Sequence, residues 1–167
     1  AISIPTSLMV AIYLAEYPEN WFRNFLRVLN DTLIGTPSIV AGVFVYSLIV
    51  SRYGFSALAG ALALSVLAIP MIVRSSEEAL RLVPFDVKEA GLSLGVEHWK
   101  VIVHIILKAA IPGITSGALL ALARIMGETA PLLFTAFGSH SYVSDIFHPV
   151  SALPLLIYIY ALAHYPV

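Results

Sequence analysis

The sequence predicts an all-α protein, a polytopic transmembrane helical bundle, and three observations carry that prediction. Hydrophobic residues fill 59% of the 167 positions and charged ones only 11%, whereas soluble domains carry about 25% charged residues. Five apolar stretches recur, at about 2–15, 34–50, 56–73, 113–137 and 150–164, and about 20 helical residues cross a hydrocarbon core of about 30 Å. Lys and Arg are unevenly shared among the intervening loops, as expected when cations are retained on the cytoplasmic side. Buried helices of a soluble protein are the competing account, but so many long apolar runs in so short a chain argue against it.

The second, third and fourth stretches have the length of full spans. The first is curtailed at Ala1, and the last runs out at Tyr165-Pro166-Val167. The expectation is therefore one transmembrane domain over residues 1–167, truncated at both ends from a longer protein. No basic segment or cleavage site accompanies the first stretch, so it does not read as a signal peptide.

After the first stretch, Trp21, Phe22, Phe25, Leu26 and Leu29 recur at helical spacing, with Arg23, Asn24, Arg27 and Asn30 on the opposite side. This pattern predicts an amphipathic helix lying at the membrane interface, an elbow between spans. The loop from Arg74 to Lys108 holds Arg74, Arg81, Lys88, Lys100 and Lys108, while Gly138 to Pro149 holds no Lys or Arg. The first is assigned to the cytoplasm and the second to the outside. Arg23 and Arg27 then also fall inside, Arg52 falls outside and Arg124 lies within a span. Arg74, at the inner end of a span, reads as a snorkelling anchor.

The cytoplasmic loop, residues 74–112, is longer than a simple connection requires. Ser75 with Glu78, and Asp86 with Glu89, have the spacing of helix-start capping pairs, which predicts two short helices separated at Pro84. Gly95 suits a left-handed stop. Beyond it, Glu97 to Ile111 resumes a helix with Lys100, His104 and Lys108 on one stripe. Between these signals, Glu89-Ala90-Gly91-Leu92-Ser93-Leu94-Gly95 places small residues on a surface helix, where they permit close approach either of a partner protein or of another helix of the same loop.

The string EAGLSLGVEHWKVIVHIIL resembles the cytoplasmic EAA loop of ABC importer permeases, the binding-protein-dependent superfamily, whose pattern is E-A-A, three residues, G, nine residues, I-x-L-P. Glu89, Ala90, Gly95, Ile105 and Leu107 match, Gly91 replaces the second alanine, and Lys108 stands in place of the proline. The resemblance implies an importer-permease (MetI-like) bundle in which Glu89, Ala90, Gly91 and Gly95 belong to a coupling helix that docks on a cytoplasmic ABC ATPase dimer.

The fourth stretch reads GITSGALLALARIMGETAPLLFTAF. Gly113, Gly117 and Ala121 form a small-residue stripe suited to tight helix packing. Arg124, eleven residues after Gly113, is expected roughly 16 Å deep. Glu128 follows one turn later on the same face. An intramembrane charge costs at least about 2.5–3.5 kcal/mol, so both side chains must face protein, each other or a hydrated path. Pro131 withholds the N–H that would engage the Gly127 carbonyl, and irregular backbone at depth is tolerated where it lines a cavity. A guanidinium makes paired hydrogen bonds to an oxyanion, and a neighbouring carboxylate competes for it and keeps binding transient. An ion pair that merely braces the span or a subunit interface is the alternative.

The segment LARIMGETAPLLFTA, with TPSIVAG at Thr36 to Gly42, resembles the A-type permease subunits of phosphate-specific transport systems. That likeness implies a multi-pass subunit of the inner (plasma) membrane, with Arg124, Glu128, Thr129 and Pro131 along a phosphate pathway. It also implies a sister permease completing a heterodimer, an ATPase dimer that binds the ATP, and a periplasmic or extracellular phosphate-binding protein. Another oxyanion such as sulfate or molybdate, an ATP-independent channel or secondary transporter, and a regulatory membrane subunit remain as rival functions.

Other chemistries have little footing. A net charge of −1 gives no basic excess for nucleic acid. Without cysteine there is no disulfide, thiolate nucleophile or Cys-ligated zinc. His98, His104, His140, His148 and His164 lack metal-ligand spacing, so neither metal nor other cofactor is expected. No phosphate-binding loop motif is present, so this chain is not expected to be an enzyme and its energy source must be another subunit.

Overall fold

The computed structural model describes residues 2–138 and 145–162. Among them the chain forms helices α1 (Ser3–Glu16), α2 (Trp21–Gly35), α3 (Ser38–Tyr53), α4 (Ala57–Arg81), α5 (Phe85–Ser93), α6 (His98–Met126), α7 (Ala130–Thr135) and α8 (Leu153–Leu162), and no strand. Both α3 and α6 contain one wide π-type turn, at Tyr46–Val50 and Ile102–Ile106. Two helices, α4 and α6, are by themselves long and apolar enough to cross a membrane, so the all-α, multi-pass expectation holds. The end of the fifth stretch, including His164, and the outer-loop residues 139–144, including His140, lie outside the described residues.

Helix boundaries depart from the sequence expectation in three places. The third stretch does not stop at Arg74: α4 continues to Arg81, carrying Pro70 inside it. Ser75 and Glu78 are therefore mid-helix and not a cap. Ser75 Oγ donates back to the carbonyls of Met71 and Ile72, and Glu78 accepts from Arg74 Nε at 2.7 Å. Arg74 is half-exposed and also lies 3.9 Å from Asp31 Oδ1 of α2. Only α5 is a separate short helix, and its cap position is Pro84 with no side-chain cap bond. Asp86 and Glu89 fall inside that helix, so the second capping pair is absent as well. Finally, α6 begins at His98 and runs unbroken through Pro112 into the apolar stretch, then ends at Met126.

The chain divides into two compact units. One comprises Ala1–Ile34 with Ala68–Leu122, and the other Gly35–Leu67 with Ala123–Val167.

In the first unit, Ala11, Ala79, Leu80, Val101, Ile102, Ile106 and Ala110 form the buried apolar cluster. Small residues bring α6 onto α4 as the stripe predicted: a Cβ on Gly113 would sit 2.6 Å from Ala79 Cβ, one on Gly117 would collide with Ser75, and Ala121 is fully buried. Helix α2 keeps the two faces expected from sequence, but its polar face packs on protein. Its buried residues are Arg23 and Asn30, whereas Trp21, Phe22, Phe25, Val28 and Leu29 are exposed. Arg23 Nε donates to the Leu14 carbonyl at 3.0 Å and Asn30 Nδ2 to the Pro70 carbonyl at 3.4 Å, while Arg27 Nη2 reaches Glu77 Oε1 at 2.8 Å. Polar side chains removed from water need hydrogen-bond or ionic partners, and Arg23, Arg27 and Asn30 find theirs on α1 and α4, leaving the apolar stripe exposed. Glu77, 4% exposed, also receives Arg81 Nη2 at 2.7 Å, and Ser7 Oγ donates to the Ile69 carbonyl at 3.2 Å.

The second unit has its apolar cluster at Val45, Val50, Ala59 and Ala63. Its backbone cross-ties gather on the first turn of α4. Ser56 N–H donates to the Thr135 carbonyl, Ala57 N–H to that of His148, and Leu58 N–H to that of Ile146. These are helix-start donors that have no partner within the helix, so the 145–148 segment serves as the cap of α4.

Because Glu77 holds two arginines in a buried position and Glu78 pairs with one at the surface, their truncations should differ. Glu77→Ala is expected to lower stability by about 2 kcal/mol or more and Glu78→Ala by less than about 1 kcal/mol. Thermal unfolding of the detergent-solubilised protein checks this, and equal losses would contradict the arrangement.

Candidate functional site

The residues expected along a pathway occupy a break between two helices of the second unit. Arg124 lies in the last turn of α6, not midway along a span. Gly127 N–H and Glu128 N–H each bond three residues back, to the carbonyls of Arg124 and Ile125, both at 3.2 Å. This tightened closure ends α6. Glu128 is therefore beyond the helix, in the connection, and the stretch 113–137 is not one continuous span. Pro131 does not break a helix: it occupies the first turn of α7, where its missing N–H would have had no intrahelical partner anyway. The freed Gly127 carbonyl inferred from sequence is thus no consequence of Pro131.

The two charges still meet. Arg124 Nε and Glu128 Oε1 are 3.8 Å apart, with the arginine side chain 49% exposed and the glutamate 17%. That separation is an ion-pair distance and too long for a hydrogen bond, so the guanidinium is not locked by Glu128. Thr129, half-buried beside it, occupies the residue before α7, and its carbonyl accepts from Leu133 N–H at 3.1 Å.

Close backbone contact holds this break in place. A Cβ on Gly42 of α3 would lie 2.7 Å from Pro131 Cα and 3.2 Å from the Pro131 carbonyl oxygen. Only glycine lets α3 approach this near. On the α4 side, a Cβ on Gly60 would meet Leu132 and Ala136 at 3.2 and 3.4 Å. Thr135 Oγ1, buried, donates to the Pro131 carbonyl at 2.7 Å. The chain then leaves α7 through Phe137 and Gly138, at φ 55° and 73°, with the Phe137 ring stacked on Phe55 at 4.9 Å.

The second group of expected residues is on α5 in the first unit. Glu89, Ala90 and Gly95 are exposed, whereas Gly91 is buried. A Cβ on Gly91 would meet Ile105 at 3.0 Å and Val101 at 3.2 Å, so this small residue serves packing of α5 on α6 and not an outside partner. Gly95 has φ 75°, the left-handed stop that the sequence indicated. Lys100, His104 and Lys108 form an exposed stripe as expected.

Sequence reasoning overlooked the buried carboxylates Glu77 and Glu16, the latter paired with Lys88. The usable signal was the Arg23, Arg27, Asn30 stripe: in so apolar a chain it had to be matched by carboxylates and carbonyls from neighbouring helices. Among the described residues, no three His, Asp or Glu side chains converge as metal ligands do.

Residues 7–165 match the model of the family described as binding-protein-dependent transport system inner membrane component. The chain is 47% identical over 167 residues to the phosphate transport system permease protein PstA of Xylella fastidiosa, covering 98% of this chain and 58% of the relative. It is 43% identical over 164 residues to PstA of Yersinia pestis, covering 97% of this chain and 56% of the relative. Against PstA 1 of Mycobacterium tuberculosis it is 49% identical over 160 residues, covering 94% and 53%. The chain thus spans a little over half the length of these curated relatives.

The contact between α3 and α7 makes a sharp test. Gly42→Ala places a methyl against Pro131 backbone and should cost about 1–3 kcal/mol, whereas Gly35→Ala, with nothing within 4 Å, should be close to neutral. Melting temperatures of the two variants, measured in the same detergent, give the comparison. A neutral Gly42→Ala would refute the close approach.

Proposed function

Because this chain belongs to the family of binding-protein-dependent transport system inner membrane components, we propose that it is a permease subunit through which an ATP-driven importer passes inorganic phosphate into the cytoplasm. Its similarity to phosphate permeases of three genera supports the substrate. The observation that carries the mechanism is the ion pair of Arg124 and Glu128, 3.8 Å apart at a helix break with the arginine half-exposed. A guanidinium stays protonated and offers paired donors to a phosphate oxyanion. Glu128, 3.8 Å from the guanidinium, competes electrostatically for the same cation and keeps anion binding transient. The Thr129 hydroxyl supplies a further donor, and Pro131, pressed against Gly42, fixes the backbone that presents them.

The assembly follows from the same reading. The subunit sits in the inner (plasma) membrane, pairs with a sister permease, and receives phosphate from a periplasmic or extracellular binding protein. An ABC ATPase dimer binds and splits ATP, and this chain contributes no catalytic residue. The ATPase docks on α5, where Glu89 and Ala90 are exposed and Gly95 turns the chain, while Gly91 holds α5 to α6.

Two measurements test this. In vesicles carrying all subunits, labelled phosphate uptake should require ATP and should fall by at least about 100-fold in Arg124→Gln, as for loss of a main charge-assisted contact. Glu128→Gln should assemble normally but alter flux. Uptake without ATP, unchanged uptake in Arg124→Gln, or equal uptake of sulfate or molybdate in competition would overturn the reading. Gly95→Val forces a β-branched residue to positive φ, and it should leave ATP hydrolysis in place while uptake is lost. Normal uptake at normal expression would remove Gly95 from the coupling element.

A further inference from the structure

Helix α5 is attached to the rest of its unit on two sides, and the attachments differ in kind. Toward α6 the contact is packing, with Gly91 set against Val101 and Ile105. Toward α1 it is an ion pair between Lys88 Nζ and Glu16 Oε2, with the glutamate side chain 7% exposed and the lysine 22%. A cleft of about 340 Å³ lies beside that pair, lined by Ala15, Glu16, Leu80, Val83, Phe85 and Lys88 among others. Apolar contact between the end of α1 and the turn leading into α5 is therefore incomplete, and the ion pair bridges the gap.

What lies behind Glu16 is stiff. The Leu14 carbonyl in the last turn of α1 accepts from Arg23 Nε at 3.0 Å and Arg81 Nη2 at 3.5 Å. Arg81 also binds Glu77, which in turn holds Arg27. Lys88 is thus joined through Glu16 to the last turn of α1, whose Leu14 carbonyl is in turn held by arginines of α2 and α4.

We propose that Lys88 and Glu16 are positioning residues that form the mechanical tie between α5 and α1, carrying displacement of the ATPase-facing helix into the membrane helices by a route separate from the Gly91 contact. The inference rests on the proposed importer function. A packed contact resists withdrawal only by the small apolar area it would expose, whereas separating a largely buried ion pair also leaves a carboxylate without compensation. The pair therefore transmits motion in either direction of an alternating cycle.

The test uses the complete transporter in proteoliposomes and reads phosphate imported per ATP hydrolysed. Lys88→Met and Glu16→Gln should hydrolyse ATP within about twofold of wild type while that ratio falls by at least about fivefold, the scale of a coupling free energy. The exchanged pair, Lys88→Glu with Glu16→Lys, should restore most of the ratio. A constant ratio accompanied only by lower thermal stability would mean that the pair merely fastens the fold, and would overturn the proposal. So would a swap that fails to assemble, or that hydrolyses ATP without import. Should the single variants not assemble, the swap alone decides. Wild-type transporter that imports no phosphate on ATP would instead refute the underlying functional reading.

Discussion

Polar groups buried away from water must be satisfied by the protein itself. That constraint explains why α2 presents Trp21, Phe22 and Phe25 outward and turns Arg23, Arg27 and Asn30 toward α1 and α4. It also explains why the carboxylates Glu16 and Glu77 are buried yet paired, one by a lysine and the other by two arginines.

Small residues then decide how closely the helices approach. Gly113 and Gly117 admit α4 against α6, Gly91 admits α6 against α5, and Gly42 admits the Pro131 backbone against α3. Each contact is made by a residue lacking a side chain because van der Waals contact and direct polar bonds, more than hydrophobic exclusion, drive helix association in lipid. The Gly42 contact has the clearest bearing on function. It holds the start of α7 in place and so sets where Glu128 and Thr129 stand relative to Arg124.

One helix carries both ends of the proposed mechanism. α6 begins at the surface against which Gly91 packs and finishes, 29 residues in all, with Arg124 in its last turn. The tie from Lys88 to Glu16 gives α5 a second attachment that does not pass through α6. Two attachments of different kinds join α5 to more than one helix of the unit.

Hydropathy, cation placement and the EAA and GETAP strings were enough to establish an all-α membrane protein of the importer-permease family, the small-residue stripe and the left-handed Gly95, because composition and local backbone preference are properties of the sequence itself. Helix limits were less legible. Ser75 and Glu78 resemble a cap in sequence, but α4 runs on past them because helical hydrogen bonding does not stop where apolarity does. GETAP was recognisable as a motif, yet only the fold could show that the helix ends at Met126 and that Pro131 starts the next one, since a proline is compatible with both a kink and a first turn. The orientation of α2 and the pairing of Glu16 and Glu77 were likewise decided by tertiary structure. An amphipathic pattern gives two faces, and which one meets protein depends on the partners that neighbouring helices bring.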